Sequence, residues 1–163
     1  MKLLLIQTGG TIDKDYPKST GAYAFEIMDP AFDKILSKAK FSPSFEVISF
    51  CKKDSQDITA FDRANLRKLI VEREETKVLI THGTDTMVET AKALQNIGGK
   101  TIIITGSHLP ATFKETDADF QLGFAIAAMQ LASEGCYIAM NGRLIPAANC
   151  GRDLETGQFI QTT

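Results

Sequence analysis

The sequence predicts a mixed α/β domain of three layers, with a mostly parallel sheet held between helices. Two observations carry that prediction. Short apolar runs recur along the 163 residues at Lys2–Gln7, Phe45–Phe50, Lys77–Thr81 and Lys100–Thr105, with a fifth at Cys136–Met140. Most are continuous rather than alternating, as parallel strands covered on both faces require. Between them lie segments with helical spacing. Phe61, Leu66, Leu69 and Ile70 form one apolar stripe, Met87, Ala91 and Leu94 another, and Asp117–Ser133 is rich in alanine and apolar residues. Strands alternating with helices imply crossover connections and a flavodoxin-like or Rossmann-like αβα arrangement. The polar stretch Arg152–Thr163 reads as a hairpin or a loose tail. Residues 1–163 are expected to form one domain, because this length suits a single core and no linker or internal repeat interrupts it.

Composition narrows the partners. The chain is 44% hydrophobic and 23% charged, and its formal net charge of -2 offers no broad basic field for a nucleic-acid backbone. The opening MKLLLIQ is too short an apolar run for a leader or a membrane span. Cys51, Cys136 and Cys150 are odd in number and lack CxxC spacing, which argues against a disulfide framework or a zinc knuckle. The expectation is a reduced, cytoplasmic protein with a small-molecule partner and neither nucleic acid nor membrane.

In open parallel sheets, ligands bind beyond the carboxyl ends of the strands. Here those ends carry TGGT, KKDSQD, HGTDT and GSHLP, all polar or glycine-containing. Four such loops converging on one crevice make a site. They do not make a phosphate cradle of known pattern, because neither GxGxxG nor GxxxxGK[ST] occurs. His82 and His108 lack metal-ligand spacing, so no metal or other cofactor is expected, and His82 reads as a strand-end residue satisfied by local hydrogen bonds. Hydroxyls are the richer signal: Thr8, Thr11, Ser55, Thr84, Thr86 and Ser107 all fall at strand ends. Such residues also cap helices and end strands. A threonine hydroxyl becomes a nucleophile only where a neighbour removes its proton. Amides around Gly9–Gly10 and Gly83 are candidates to receive an oxyanion, and Asp85 to hold a substrate ammonium.

The segments TGGTI (Thr8–Ile12) and HGTDTMVETA (His82–Ala91) resemble the two signature stretches of the bacterial-type L-asparaginases, threonine-dependent amidohydrolases. DSQDI (Asp54–Ile58) resembles the substrate loop of that family, TGSHLP (Thr105–Pro110) the segment after its next strand, and DADFQLGFA its following helix. The likeness spans most of residues 1–145, the family's larger N-terminal domain, so the fold it implies is of that domain type. The resemblance implies that Thr11 is the nucleophile and Thr84 the second catalytic threonine. It implies that Asp85 holds the α-ammonium of the substrate. Ser55 and Gln56 would meet its α-carboxylate and α-amino ends, with Gly10, Asp54 and Gly83 also lining the substrate site. A lid tyrosine is expected too. Tyr23 has the more familiar spacing from Thr11, and Tyr16 serves if the loop is shortened; Pro17, Ser19 and Gly21 suit a mobile lid.

Two departures accompany the likeness. The family carries a lysine hydrogen-bonded to the second threonine, expected after the DADFQLGFA-like helix, and no lysine follows Lys114. Lys14, Lys52 and Lys53 are the spatial stand-ins to test, with no ammonium expected as close to Thr84 as that lysine. The family's smaller C-terminal domain also has no counterpart, so a homodimer is expected to cover what that domain would. The activity implied is hydrolysis of the side-chain amide of L-asparagine to L-aspartate and ammonia through an acyl-enzyme on Thr11. The alternative is a small amino-acid-binding protein that keeps the pocket with weak turnover or none.

Overall fold

The computed structural model describes residues 2–17 and 25–163. Along the chain run strands β1 (Leu3–Gly9), β2 (Lys14–Asp15) and β3 (Glu26–Ile27), helix α1 (Ala31–Lys38) and strand β4 (Phe45–Lys53). Helix α2 (Ala60–Glu72), β5 (Lys77–Thr81), α3 (Met87–Ala93), β6 (Thr101–Thr105) and α4 (Ala118–Leu131) follow. The chain then forms β7 (Gly135–Met140), β8 (Arg143–Pro146), β9 (Cys150–Arg152) and β10 (Phe159–Gln161). Six strands make one sheet in the order β4-β1-β5-β6-β7-β8. All neighbours are parallel except β7 and β8, which pair antiparallel through a tight turn. The mostly parallel α/β fold predicted from the sequence is the fold observed.

The two cores explain the continuous apolar runs. Within β1, Leu4 and Ile6 face α2, α3 and the C-terminal residues Cys150 and Phe159. Leu3 and Leu5 face α1 and α4, through Phe32, Ile35, Leu122 and Met129. The same split divides Val78 and Ile80 from Leu79 in β5, and Ile102 and Ile104 from Ile103 in β6. Both faces of the central strands are therefore sealed, so alternate polar residues would be buried unpaired. The edge strand β4 is only half-buried, as its one uncovered edge allows.

Two differences from the sequence reading have physical causes, and one of its alternatives is decided. Phe61 is 74% exposed and does not belong to the buried stripe of α2, whose inward residues are Leu66 and Ile70. Its five-residue offset from Leu66 turns it well over 100° around the helix. Helix α1 and the short strand β8 were not foreseen. Eight residues with four inward positions give α1 too brief a period to stand out. The segment after Arg152 is a hairpin: β9 and β10 pair antiparallel, Phe159 with Arg152 and Ile160 with Gly151. Phe159, 1% exposed, anchors it in the core. No helix among the described residues is long and apolar enough to cross a membrane.

One buried carboxyl works against stability. Asp13 is 3% exposed, on the 3-10 turn that also holds Thr11. Its Oδ1 accepts the Ala31 amide at the start of α1 (2.8 Å), while Oδ2 and the hydroxyl of Thr81 find no partner among the described residues. Burial raises its pKa to about 6, against the hydrogen bonds that favour its charged form. A raised carboxyl pKa means that the folded state holds the proton where the unfolded chain has released it. Stability from this group is therefore highest at acid pH and falls as pH rises through about 6. Asp13→Asn should consequently stabilise the protein by about 2–3 kcal/mol at neutral pH, a gain that vanishes near pH 4. Urea denaturation at the two pH values checks this; an equal effect at both would show that the charge is not the cause.

Candidate active site

Each parallel strand delivers its loop to the same edge of the sheet. After β1 the chain turns through Gly9 (φ 110°) and Gly10 (φ 87°) into the 3-10 turn Thr11–Asp13. After β4 come Asp54 and a second 3-10 turn, Ser55–Asp57. After β5 come His82, Gly83, Thr84 and Asp85, leading into α3. These loops meet backbone to backbone. A Cβ on Gly10 would fall on the amide nitrogen of Gly83, and one on Gly83 would lie 2.8 Å from both Cβ and Oγ of Ser55. A Cβ on Gly106, after β6, would strike the carbonyl oxygen of His82. Glycine is required at these three points by contact, and at Gly10 also by its positive φ.

Hydrogen bonds lock the loops in register. The Gly10 amide donates to the Lys53 carbonyl (3.0 Å), and the Ala111 amide to the Ile12 carbonyl (3.1 Å). Thr8 donates its hydroxyl to the Thr81 carbonyl (2.8 Å), joining β1 to β5. Ser55 is buried; its Oγ accepts the Asp85 amide (3.2 Å), and its carbonyl accepts the Thr86 hydroxyl (2.6 Å). Because the Gly10 amide is spent on Lys53, Gly10 shapes the crevice by close approach rather than as an oxyanion donor. Thr86, the residue before α3, spends its hydroxyl on Ser55 and makes no side-chain cap.

Asp85 is the electrostatic centre. Gln56 Nε2 donates to its Oδ2 (2.8 Å), and Arg152 Nη1 to its Oδ1 (2.9 Å). The Gln56 amide first, then the Arg152 guanidinium, hold its carboxyl below the usual range against a partial loss of hydration. Arg152 reaches Asp85 from the C-terminal hairpin, with Nε donating to the Gly157 carbonyl (3.3 Å) and the guanidinium over the Phe159 ring. The lysines considered from sequence go elsewhere: Lys14 pairs with Asp54 (2.8 Å), Lys52 with Asp29 (2.9 Å) and Lys53 with Asp62 (2.8 Å).

The structure thus brings the loops of Gly10, Thr11, Ser55, Gln56, Gly83, Thr84 and Asp85 into one crevice. Asp54 stands at its rim, half-exposed and bound to Lys14. Tyr16 is 54% exposed, with its ring 4.3 Å from that of Phe25, which in turn meets Phe113 edge-on. Tyr23 lies outside the described residues. Sequence reasoning missed Arg152. Its signal was the arginine of CGRD at the head of the polar tail, which has no motif of its own.

An open α/β sheet whose loops gather at its carboxyl edge is the arrangement in which such folds bind small molecules. The chain belongs to the asparaginase family: the family's N-terminal model, Asparaginase, N-terminal, matches residues 2–156. It is 27% identical over 98% of its length to a glutaminase-asparaginase of Acinetobacter glutaminasificans, covering 51% of that protein. It is 29% identical to an L-asparaginase of Thermococcus kodakarensis, over 89% of this chain and 45% of the relative. Among solved structures, the thermostable L-asparaginase of Thermococcus kodakarensis superposes with a TM-score of 0.82 at 25% identity, over 99% of this chain and 51% of that one. L-asparaginase I of Vibrio cholerae shares the fold, with a TM-score of 0.79 at 24% identity over 98% of this chain and 51% of the other. The chain spans about half the length of the curated relatives it matches.

The glycine contacts predict opposite outcomes at two sites. Gly10→Ala should destabilise the fold by roughly 2–4 kcal/mol, because backbone meets backbone and φ is positive. Gly123→Ala, on the exposed side of α4 with open space at its Cβ, should stabilise by about 0.5–1 kcal/mol. Chemical denaturation of both variants reads the difference; a neutral Gly10→Ala would refute the close approach.

Proposed function

We propose that this chain is an amidohydrolase that cleaves the side-chain amide of L-asparagine, or of a close analogue, through an acyl-enzyme on Thr11. The observation that carries the reading is the Gly10–Gly83–Ser55 contact, which gathers the loops of Thr11, Thr84, Asp85 and Gln56. Amide hydrolysis needs a nucleophile, donors for a developing oxyanion and a route to protonate the departing ammonia. In this reading the Thr11 hydroxyl attacks the carbonyl to give a tetrahedral oxyanion, its proton passes to the amide nitrogen, and the oxyanion collapses to the acyl ester as the C–N bond breaks and ammonia leaves. Water then hydrolyses the ester and frees Thr11. Thr84 serves as the second hydroxyl in the proton path. Asp85 and Gln56 hold the α-ammonium, and Ser55 faces the α-carboxylate, because a zwitterion buried unpaired would bind poorly.

Arg152 provides a positive charge beside Asp85, whereas the lysine that the family resemblance implies would have met Thr84. A guanidinium does not release its proton near neutral pH, so it acts through its field and its fixed fork of donors, not as a base. The names of the relatives, L-asparaginase and glutaminase-asparaginase, agree with a small amide as substrate. The expected homodimer is supported by apolar side chains left outward on α4, Phe120 at 61% exposure and Leu131 at 86%. One observation favours the second reading, an amino-acid-binding protein without turnover. Both Asp85 oxygens are already engaged, so a substrate ammonium must share them.

Ammonia release from asparagine decides between the two. Wild type should release ammonia and Thr11→Ala none; equal rates would remove Thr11 as nucleophile. Arg152→Ala should lower kcat/KM by about tenfold or more, with partial recovery in Arg152→Lys. If no variant turns over, calorimetry with asparagine and aspartate tests binding alone, and the absence of heat rejects that reading as well.

A further inference from the structure

His82 opens the HGTDT segment, yet the chemistry above leaves it unused. Its side chain is completely buried. Ring atom Nδ1 lies 2.7 Å from the Gly83 carbonyl oxygen, and Nε2 lies 2.8 Å from the Thr90 hydroxyl on α3. On the far side of that hydroxyl, Arg63 of α2 donates from Nε to Thr90 Oγ1 (3.0 Å). The direction of each bond then follows. A carbonyl only accepts, so Nδ1 holds the one proton of the neutral ring and Nε2 must take the Thr90 hydroxyl proton, while Thr90 Oγ1 accepts from the Arg63 guanidinium. Nε2 is thus the acceptor of the ring and Nδ1 its donor.

We infer that Arg63, Thr90 and His82 form a directional relay that fixes the histidine in its Nδ1–H tautomer and so positions the Gly83–Thr84–Asp85 backbone in the crevice. His82 is a positioning residue here, not a catalytic one. Loss of hydration, with the Arg63 charge adding to it, lowers its pKa to about 4, although the Gly83 carbonyl opposes the shift. It is neutral throughout the range in which it would otherwise serve as acid or base. The surroundings make the relay effective. The His82 amide donates to the Thr105 carbonyl (2.9 Å), and Gly106 packs on the His82 carbonyl oxygen, so the backbone is held by β6 while the ring is held by α3. Arg67, one turn beyond Arg63, donates to the carbonyls of Ala93 (3.1 Å) and Gln95 (2.7 Å) at the end of α3. Helix α2 thus grips α3 at its middle and at its C-terminal end, and the relay passes that grip to the loop of Thr84. Removing the Thr90 hydroxyl leaves Nε2 without its buried donor and frees the ring to change tautomer or rotate.

The inference rests on the reading of Thr84 and Asp85 as site residues only in its enzymatic arm. Histidine ring nitrogen-15 NMR of the full chain should show Nδ1 protonated and Nε2 bare from about pH 5.5 to 8. A protonated Nε2, or titration within that range, overturns the relay. In Thr90→Val the Asp85 amide, held by Ser55 Oγ in the wild type, should exchange with solvent about tenfold faster, and Thr90→Ser should restore its protection. Unchanged exchange in Thr90→Val, or no restoration by serine, overturns the positioning role. If Thr90→Val does not fold, Arg63→Met cuts the same chain at its solvent end and is read in the same way. On asparagine, Thr90→Val should lose about tenfold or more in kcat while KM moves less than about threefold, with rescue by serine. An unchanged kcat in an active protein overturns it. A wild type that turns over no amide refutes the hydrolase reading instead, and the two NMR arms still decide the relay.

Discussion

The site depends on the close approach of bare backbone at Gly10, Gly83 and Gly106. Strands β1 and β5 are adjacent and parallel, so their carboxyl ends lie about 5 Å apart before any loop begins. A turn carrying a Cβ at either Gly10 or Gly83 would push the two loops apart by the width of a methyl group. Thr11 and Thr84, each one residue further on, would separate with them. Ser55 completes the junction from the other side, filling the space at Gly83 and binding the Asp85 amide and the Thr86 hydroxyl. Three loops of different strands are thereby made into one rigid floor, and the side chains that line the crevice inherit its geometry.

Charge is distributed by the same economy of contacts. Lys14, Lys52 and Lys53 all lie near the crevice in sequence, but each has a carboxylate partner of its own. Lys53 also strengthens the cap of α2, where Thr59 and Asp62 exchange bonds between side chain and backbone, and it draws the Asp62 pKa down to about 2 together with those bonds. The positive charge that reaches Asp85 comes from the other end of the chain. Phe159 is buried under the sheet and pins the hairpin, which leaves Arg152 extended over the crevice. A hydrophobic anchor beneath Arg152 thus decides which cation meets Asp85.

Much of the fold was legible because burial on two faces forces continuous apolar strands. Leu3–Ile6, Val78–Ile80 and Ile102–Ile104 could hardly be anything else in a chain of this composition. Helix α1 and strand β8 were harder to read, since each is short and draws its stability from neighbours instead of its own pattern, and packing of Phe159 decided for the terminal segment between hairpin and loose tail. The loops TGGTI, DSQDI and HGTDT could be assigned to one edge of the sheet from topology alone. Arg152 could not, because a lone arginine in a polar segment carries no periodicity or spacing.

By itself the sequence determined the parallel sheet, the order of its loops and the residue types at the carboxyl edge, since apolar period and glycine placement are local properties. The tertiary structure decided what those residues touch: Gly10 spends its amide on Lys53, Asp85 takes Arg152 as its partner, and His82 faces a threonine and an arginine on two helices. Such pairings join positions tens of residues apart, and they are selected by packing and by the demand that buried polar atoms find partners, which no local pattern encodes.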